Sequence, residues 1–314
     1  PQAEVVELIP DLEAEYSFIG NDKSTFYFKT DYHAPNGKVI AIDVNNSAKD
    51  NWKTIVPELK DPISNIAIVN DHIVVSYLHD VLGKLTIYSM NGDKRQDVKL
   101  PGKGKVAGPY GKRSKDYFYY VFNSYTQPQT TYKFDFKTGD STLYSKPTVS
   151  FDPDNYTSEQ VFYTSKDGTK VPMMISYKKG LKKDGNNPTL LYAYGGFAIS
   201  LTPLFSPANI AWMDMGGVYA VPNLRGGAEY GESWHQAGMF DKKQNVFDDY
   251  YAAAEYLIDQ NYTNSTKLGA YGRSNGGLLM GAALTQRPEL FAAELNTSFS
   301  KVIWSDFDNY LVTC

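Results

Sequence analysis

The stretch KLGAYGRSNGGLLMGAAL, residues 267–284, holds the side chains most able to do chemistry. Within it, Gly272-Arg273-Ser274-Asn275-Gly276 fits the pattern G-x-S-x-G between a strand-like and a helix-like segment, the context a nucleophile elbow requires. A serine on such a tight turn stands above the sheet, and side chains two positions away on either side would collide; glycines remove the collision. The helix beginning at the serine aims its unpaired N–H groups and positive dipole end at a developing oxyanion, with the Asn275 N–H as one donor. A glycine-rich turn carrying an ordinary serine is the bland alternative, disfavoured by the strand before it and the helix after it.

A serine nucleophile needs a base, and His33, His72, His79 and His235 all precede Ser274. In this hydrolase arrangement the chain order is Ser, then acid, then His. His235, near Trp234 and Glu232, is therefore read as structural, and the other three as bystanders in β-rich sequence. Arg225, after an apolar strand and before two glycines, is expected to orient a loop and not to touch substrate.

The elements that must position these residues come in two rhythms. Up to about residue 148 the chain alternates aromatic and β-branched residues with no helical period. Segments starting at Ser24, Asp71 and Lys115 each read as strand, polar loop, strand, turn and a shorter strand. They recur about every 45 residues, the period of four-stranded propeller blades. Asn91-Gly92 and Thr138-Gly139 supply residues that tolerate positive φ between strands. A plain β-sandwich is the competing reading. From about residue 150 the pattern changes to a hairpin around Asp167-Gly168, then strands alternating with helices, which implies a mostly parallel sheet covered on both faces. Phe247, Tyr250, Ala254 and Leu257 share one helical face, with Asp248 and Asp249 placed near the helix start, where the dipole favours anions.

Composition excludes several functions. Of 314 residues, 42% are hydrophobic and the formal net charge is −4, so no basic stripe invites nucleic acid. No apolar run approaches a membrane span. The lone cysteine, Cys314, gives neither a disulfide framework nor a thiol cluster for a metal, and no cofactor is expected. The start, PQAEVVELIP, carries no addressing signal, leaving cytoplasm and periplasm equally open.

Three segments turn a general hydrolase signal into a family signal: YAYGGF (192–197), NLRGGAEYGESWH (223–235) and GRSNGGLLMGAALTQRPELF (272–291). Together and in this order they closely resemble prolyl oligopeptidase, a family of serine peptidases joining an α/β-hydrolase domain to a seven-bladed propeller. The resemblance runs to about residue 293, strong in the hydrolase part and mostly architectural in the blades. It implies a β-propeller segment of about three blades over 1–148 and the N-terminal part of an α/β-hydrolase peptidase domain over 149–314, both incomplete. It also implies a monomer that cleaves short proline-containing peptides after proline, the propeller filtering out folded substrates. By position, Ser274 matches the nucleophile and Tyr194 a tyrosine whose hydroxyl joins the oxyanion hole. Asn275 matches the residue that supplies the other donor and contacts substrate backbone, and Phe197 an aromatic lining the proline pocket. On residue type alone, Tyr194 and Phe197 would read as core packing at a strand end.

The chain departs from the family beyond the nucleophile. The triad aspartate and histidine and a proline-stacking tryptophan would lie further on; Trp304, Asp306 and Asp308 come too early and take no role. The expectation is a fragment, or a truncated or frameshifted reading, inactive by itself. Three other readings stay open: a related peptidase preferring basic residues, against which Asn275 and Phe197 argue; a general esterase; and a non-catalytic propeller scaffold.

Overall fold

Alternation of apolar and polar residues builds the chain from Tyr16 to Ser145 into β-structure. In the computed structural model, which describes residues 7–9 and 13–296, β1 (Tyr16–Asp22), β2 (Thr25–Thr30), β3 (Lys38–Asp43) and β4 (Lys53–Val56) form one antiparallel sheet in sequence order. A second sheet joins β5 (Ile63–Val69), β6 (His72–His79), β7 (Leu82–Ser89) and β8 (Lys94–Asp97). A third joins β9 (Lys105–Tyr110), β10 (Tyr117–Asn123), β11 (Thr130–Asp135) and β12 (Asp140–Ser145).

The middle sheet is buried on both faces. Successive side chains of a strand point to opposite sides, and β6 uses both. Ile73, Val75 and Tyr77 pack with Val39, Ala41 and Val56 of the first sheet, while Val74 packs with Leu85, Phe118, Tyr120 and Phe122 toward the third. The middle sheet thus shares a separate core with each neighbour, as a stacked blade does. A two-layer sandwich would have one shared core, so the sandwich reading falls.

A mixed six-stranded sheet follows. Its strands, in spatial order, are β13 (Tyr156–Thr164), β14 (Lys170–Lys178), β16 (Val218–Pro222), β15 (Thr189–Ala193), β17 (Leu268–Gly272) and β18 (Ala293–Asn296). The first three are antiparallel; β16, β15, β17 and β18 run parallel. Helices α1 (Pro207–Asp214), α2 (Glu232–Gln236), α3 (Gln244–Asp259) and α4 (Asn275–Gln286) fill the connections. Val246, Phe247, Tyr250 and Leu257 of α3 and Leu279, Met280 and Ala283 of α4 pack on Met173, Ile175, Leu191 and Ala220. The opposite face, with Met174, Tyr219 and Val221, is covered by Trp212 of α1 and also by Leu82 and Tyr125 from the blades.

The two parts meet through polar contacts as well. The Tyr230 hydroxyl donates to Asp80 Oδ1 at 2.9 Å, Gln160 donates to the Asp80 carbonyl, and the Phe205 N–H donates to Asn123 Oδ1 at 3.0 Å.

The placement of the α3 acids needs correction. The helix begins at Gln244, so neither Asp248 nor Asp249 lies in its first turn. Asp249 is fully buried and takes the Arg225 guanidinium, with Nη2–Oδ1 at 2.6 Å, and the Arg225 N–H. Its partner is a cation on a loop, not the unpaired N–H groups at the helix start.

Because Ile73 sits in the core shared by the first two sheets, Ile73→Ala should cost about 2–5 kcal/mol of stability, read from the midpoint of a urea melt.

Candidate active site

The β17–α4 junction forms a sharp, strained turn. Ser274 has φ 55° and ψ −118°, a conformation that costs a non-glycine residue about 1–3 kcal/mol and persists only where the surroundings impose it. The surroundings are specific. A Cβ on Gly272 would lie 2.2 Å from the Gly276 carbonyl oxygen, and one on Gly276 would lie 2.5 Å from that of Ala193, at the end of β15. Chain is packed against chain on both sides of the serine. The serine itself is exposed, at the N-cap of α4.

The next turn, Tyr194-Gly195-Gly196, is clamped to this one. Asn275 Nδ2 donates to the Tyr194 carbonyl at 2.6 Å, and the Lys243 ammonium, just before α3, donates to the Gly195 carbonyl at 2.9 Å. Lys243 also reaches Asn275 Oδ1 at 3.4 Å. A Cβ on Gly196 would meet Asn275 Nδ2 at 2.4 Å, so the close approach depends on glycine there. Asn275 is buried, and its side chain is spent on this clamp, leaving its backbone N–H at the helix start as the group that can serve an oxyanion. Tyr194 is half-buried, and among the described residues no hydrogen bond holds its hydroxyl.

Phe197 follows with φ 54° and 57% of its surface exposed, and Ala198 repeats the positive φ. An aromatic side chain held outward on strained backbone is an arrangement that functional sites favour. The loop is pinned from below. The Ala198 N–H donates to the Gly226 carbonyl at 3.1 Å and lies 3.2 Å from His235 Nδ1, which itself is 2.8 Å from the Gly226 carbonyl. His235 thus spends its Nδ1 on loop backbone. His33, His72 and His79 sit on the first two blades.

Arg225 is buried between Asp249 and Asp167, with its guanidinium on both carboxylates. That contact holds the Asp167 carboxyl down at about 2. The structure brings Ser274, Asn275 and the Tyr194 turn together; Arg225 ties the turn between β13 and β14 to α3. Trp304, Asp306 and Asp308 lie outside the described residues.

Two participants have no sequence signal. Lys243, in the polar run DKKQN, reads as a solvated lysine. Glu229 reads as a loop carboxylate, yet it is 1% exposed. Its Oε1 accepts the Leu201 N–H at 2.9 Å and Asn223 Nδ2 at 3.2 Å, while Asn223 Nδ2 also donates to the Leu201 carbonyl at 2.8 Å. Leu201, four residues past Phe197, is thereby held at both its backbone groups. Glu229 Oε2 and Asn223 Oδ1 are buried without partners among the described residues, and burial pushes the Glu229 carboxyl up to about 7.

Known proteins match the chain over most of its length. The family model for the prolyl oligopeptidase N-terminal β-propeller domain matches residues 1–147, and that for the prolyl oligopeptidase family matches 203–305. The prolyl endopeptidase of Elizabethkingia meningoseptica is 46% identical over 289 residues, 92% of this chain and 41% of its own length. That of Dictyostelium discoideum is 40% identical over 301 residues, 91% of this chain and 40% of its own. A solved structure from a study of inter-domain dynamics in two prolyl endopeptidases superposes with a TM-score of 0.84 at 48% identity, covering 91% of this chain and 42% of that one. Prolyl oligopeptidase B from Galerina marginata, bound to a 25mer macrocyclization substrate, gives 0.83 at 33% identity, covering 91% and 41%. The chain therefore spans about 41% of the length of its curated relative from Elizabethkingia.

Two outcomes test the geometry. Gly276→Ala forces a Cβ onto the Ala193 carbonyl and should destabilise the protein by about 1–3 kcal/mol in a denaturant melt. The folded chain keeps the Glu229 proton up to about pH 7, whereas the unfolded chain releases it near 4.5. The stability from this protonated carboxyl is complete below about 4.5 and is lost as pH rises through about 7, a difference of about 3 kcal/mol. Glu229→Gln should flatten that fall in melting temperature.

Proposed function

This chain belongs to the prolyl oligopeptidase family, and on that footing we propose that it supplies the nucleophile and oxyanion site of a serine endopeptidase that cleaves short peptides on the carboxyl side of proline. The observation that carries the reading is the strained, exposed Ser274 between glycines that no larger residue could replace.

In this reading the Ser274 hydroxyl oxygen attacks the carbonyl carbon of the residue before the scissile bond, its proton passing to a base. The carbonyl π electrons move to oxygen. The resulting oxyanion is met by the Asn275 N–H and the Tyr194 hydroxyl, donors suited to charge that develops only in the transition state. Collapse expels the amine, protonated by the same base, and leaves an ester on Ser274 that water hydrolyses. Phe197 offers an aromatic face to the proline ring, and Asn275, fixed beneath the turn, aligns the acyl side.

The same proposal divides the chain into a propeller segment, 1–148, and the peptidase part, 149–314. The blades restrict access to short, unfolded peptides, and the protein works as a monomer without a cofactor. No histidine follows Ser274 in the sequence, so the chain by itself has no base in the required order. Loss of a triad base costs on the order of a millionfold in subtilisin, the residual rate coming from the oxyanion hole and binding.

The chain alone should therefore turn over a proline-anilide negligibly. A protein of the relatives' full length carrying these residues should cleave it, favour it over an arginine-anilide, and lose both turnover and fluorophosphonate labelling on Ser274→Ala. Turnover by the chain alone that disappears in Ser274→Ala would defeat the inactivity claim. Absence of labelling in the full-length protein would point to a scaffold instead.

A further inference from the structure

The oxyanion turn is held by a residue that has no role in the reaction outlined above. Lys243 is buried at the start of α3, where its ammonium lies 2.9 Å from the Gly195 carbonyl and 3.4 Å from Asn275 Oδ1. Asn275 uses the other end of its amide, Nδ2, on the Tyr194 carbonyl at 2.6 Å. Two consecutive carbonyls of one turn are thus taken by two side chains that also contact each other.

The electrostatics give this arrangement one orientation. An ammonium has donors only and the Asn275 amide has a donor end and an acceptor end. With Lys243 charged, Oδ1 must face it, and Nδ2 is then directed to the Tyr194 carbonyl. The flipped amide would set an NH₂ group against the cation and a carbonyl oxygen against a carbonyl oxygen, losing both bonds. Low local dielectric strengthens the preference, because hydrogen bonds to a charged group are about twice as strong as neutral ones. Val246, one helical turn further on, supports the same turn sterically: a Cβ on Gly195 would meet its Cγ1 at 2.4 Å.

We propose that Lys243 is a positioning residue of the oxyanion site: its ammonium fixes which way the Asn275 amide faces and so locks the Tyr194–Gly196 turn against the nucleophile turn. This rests on the peptidase reading for its catalytic consequence, although the locking itself does not. The Tyr194 hydroxyl and the Asn275 N–H come from the two turns that Lys243 joins, so their mutual spacing depends on it. An interaction that fixes that spacing acts on the transition state more than on bound substrate.

The structural arm uses the chain as it stands. Hydrogen exchange is followed at Ala198 and Ile199, whose N–H groups are bonded to the Gly226 and Gly196 carbonyls at 3.1 Å each. Lys243→Met should speed exchange there by about tenfold or more, as expected for losing a hydrogen bond to a charged group. Val74 and Val75 in β6 should keep wild-type protection and certify the fold. Lys242→Met, at the exposed neighbouring position, should change neither set. Lys243→Cys alkylated with bromoethylamine, which restores an ammonium at nearly the same reach, should recover slow exchange. Should Lys243→Met fail to fold, Lys243→Gln, keeping a donor without the charge, is read at the same amides with the same expectation.

The kinetic arm uses the full-length protein. Lys243→Met should lower kcat per titratable Ser274 by about 10- to 100-fold with KM changed by less than about threefold, and the alkylated cysteine variant should regain most of it. Unchanged exchange at Ala198 and Ile199 in a folded Lys243→Met, or no recovery by the restored ammonium, overturns the proposal. So does full kcat in Lys243→Met when the wild type is active. A wild-type protein without peptidase activity would sink the functional reading alone, since the exchange result still decides whether Lys243 locks the turn.

Discussion

The architecture of the site depends on two stretches of backbone coming closer than any side chain would permit. The end of β15 and the start of α4 meet where Gly276 faces the Ala193 carbonyl and Gly196 faces the Asn275 amide. Remove that contact and the serine has no reason to adopt φ 55°, nor the Tyr194 turn to face it. The parallel pairing of β15 with β17, in register from Thr189↔Leu268 to Ala193↔Gly272, carries the two turns to the same height at the C-terminal ends of these strands. The strain at Ser274 is a local cost offset by the packing of α3 and α4 on the sheet beneath.

Around this contact the loop from Phe197 to Phe205 is tied to both parts of the protein. His235 and Gly226 hold Ala198, Asn223 and Glu229 hold Leu201, and Asn123 of the third blade holds Phe205. Leu201 packs in the same cluster as Tyr125 and Leu82 from the blades and Tyr219 from the sheet. The segment carrying the exposed aromatic is thus a structural bridge, and movement between the blades and the sheet would be felt at Phe197.

The elbow was legible because the requirement is steric and local: G-x-S-x-G between strand and helix admits few other geometries. The outer three strands of each blade were legible through their alternation and turn residues. The first strand of each blade was less so. In β9, Gly108 and Pro109 disguise a strand, and β1 carries an irregular register at Gly20. Helix α1 was not seen because its eight residues carry no clear apolar stripe. Asp248 and Asp249 were misplaced because the helix starts earlier, at Gln244 in a polar run, and because helix propensity says nothing about the buried arginine that Asp249 meets on another loop. Lys243 and Glu229 were illegible for the same reason. Their burial is decided by the tertiary packing of α3 and of the 223–231 loop, and no pattern in a polar run announces it.

The backbone at Ser274 also narrows which side chains can occupy the turn. A threonine offers the same hydroxyl, but its second branch at Cβ is poorly tolerated at positive φ, where even an unbranched residue is strained. Branching at Cβ is thus selected against at this position, and an unbranched side chain is the form the turn admits most readily. Within the nucleophile role proposed for Ser274, exchange to threonine is thus opposed by the backbone before reactivity is ever tested.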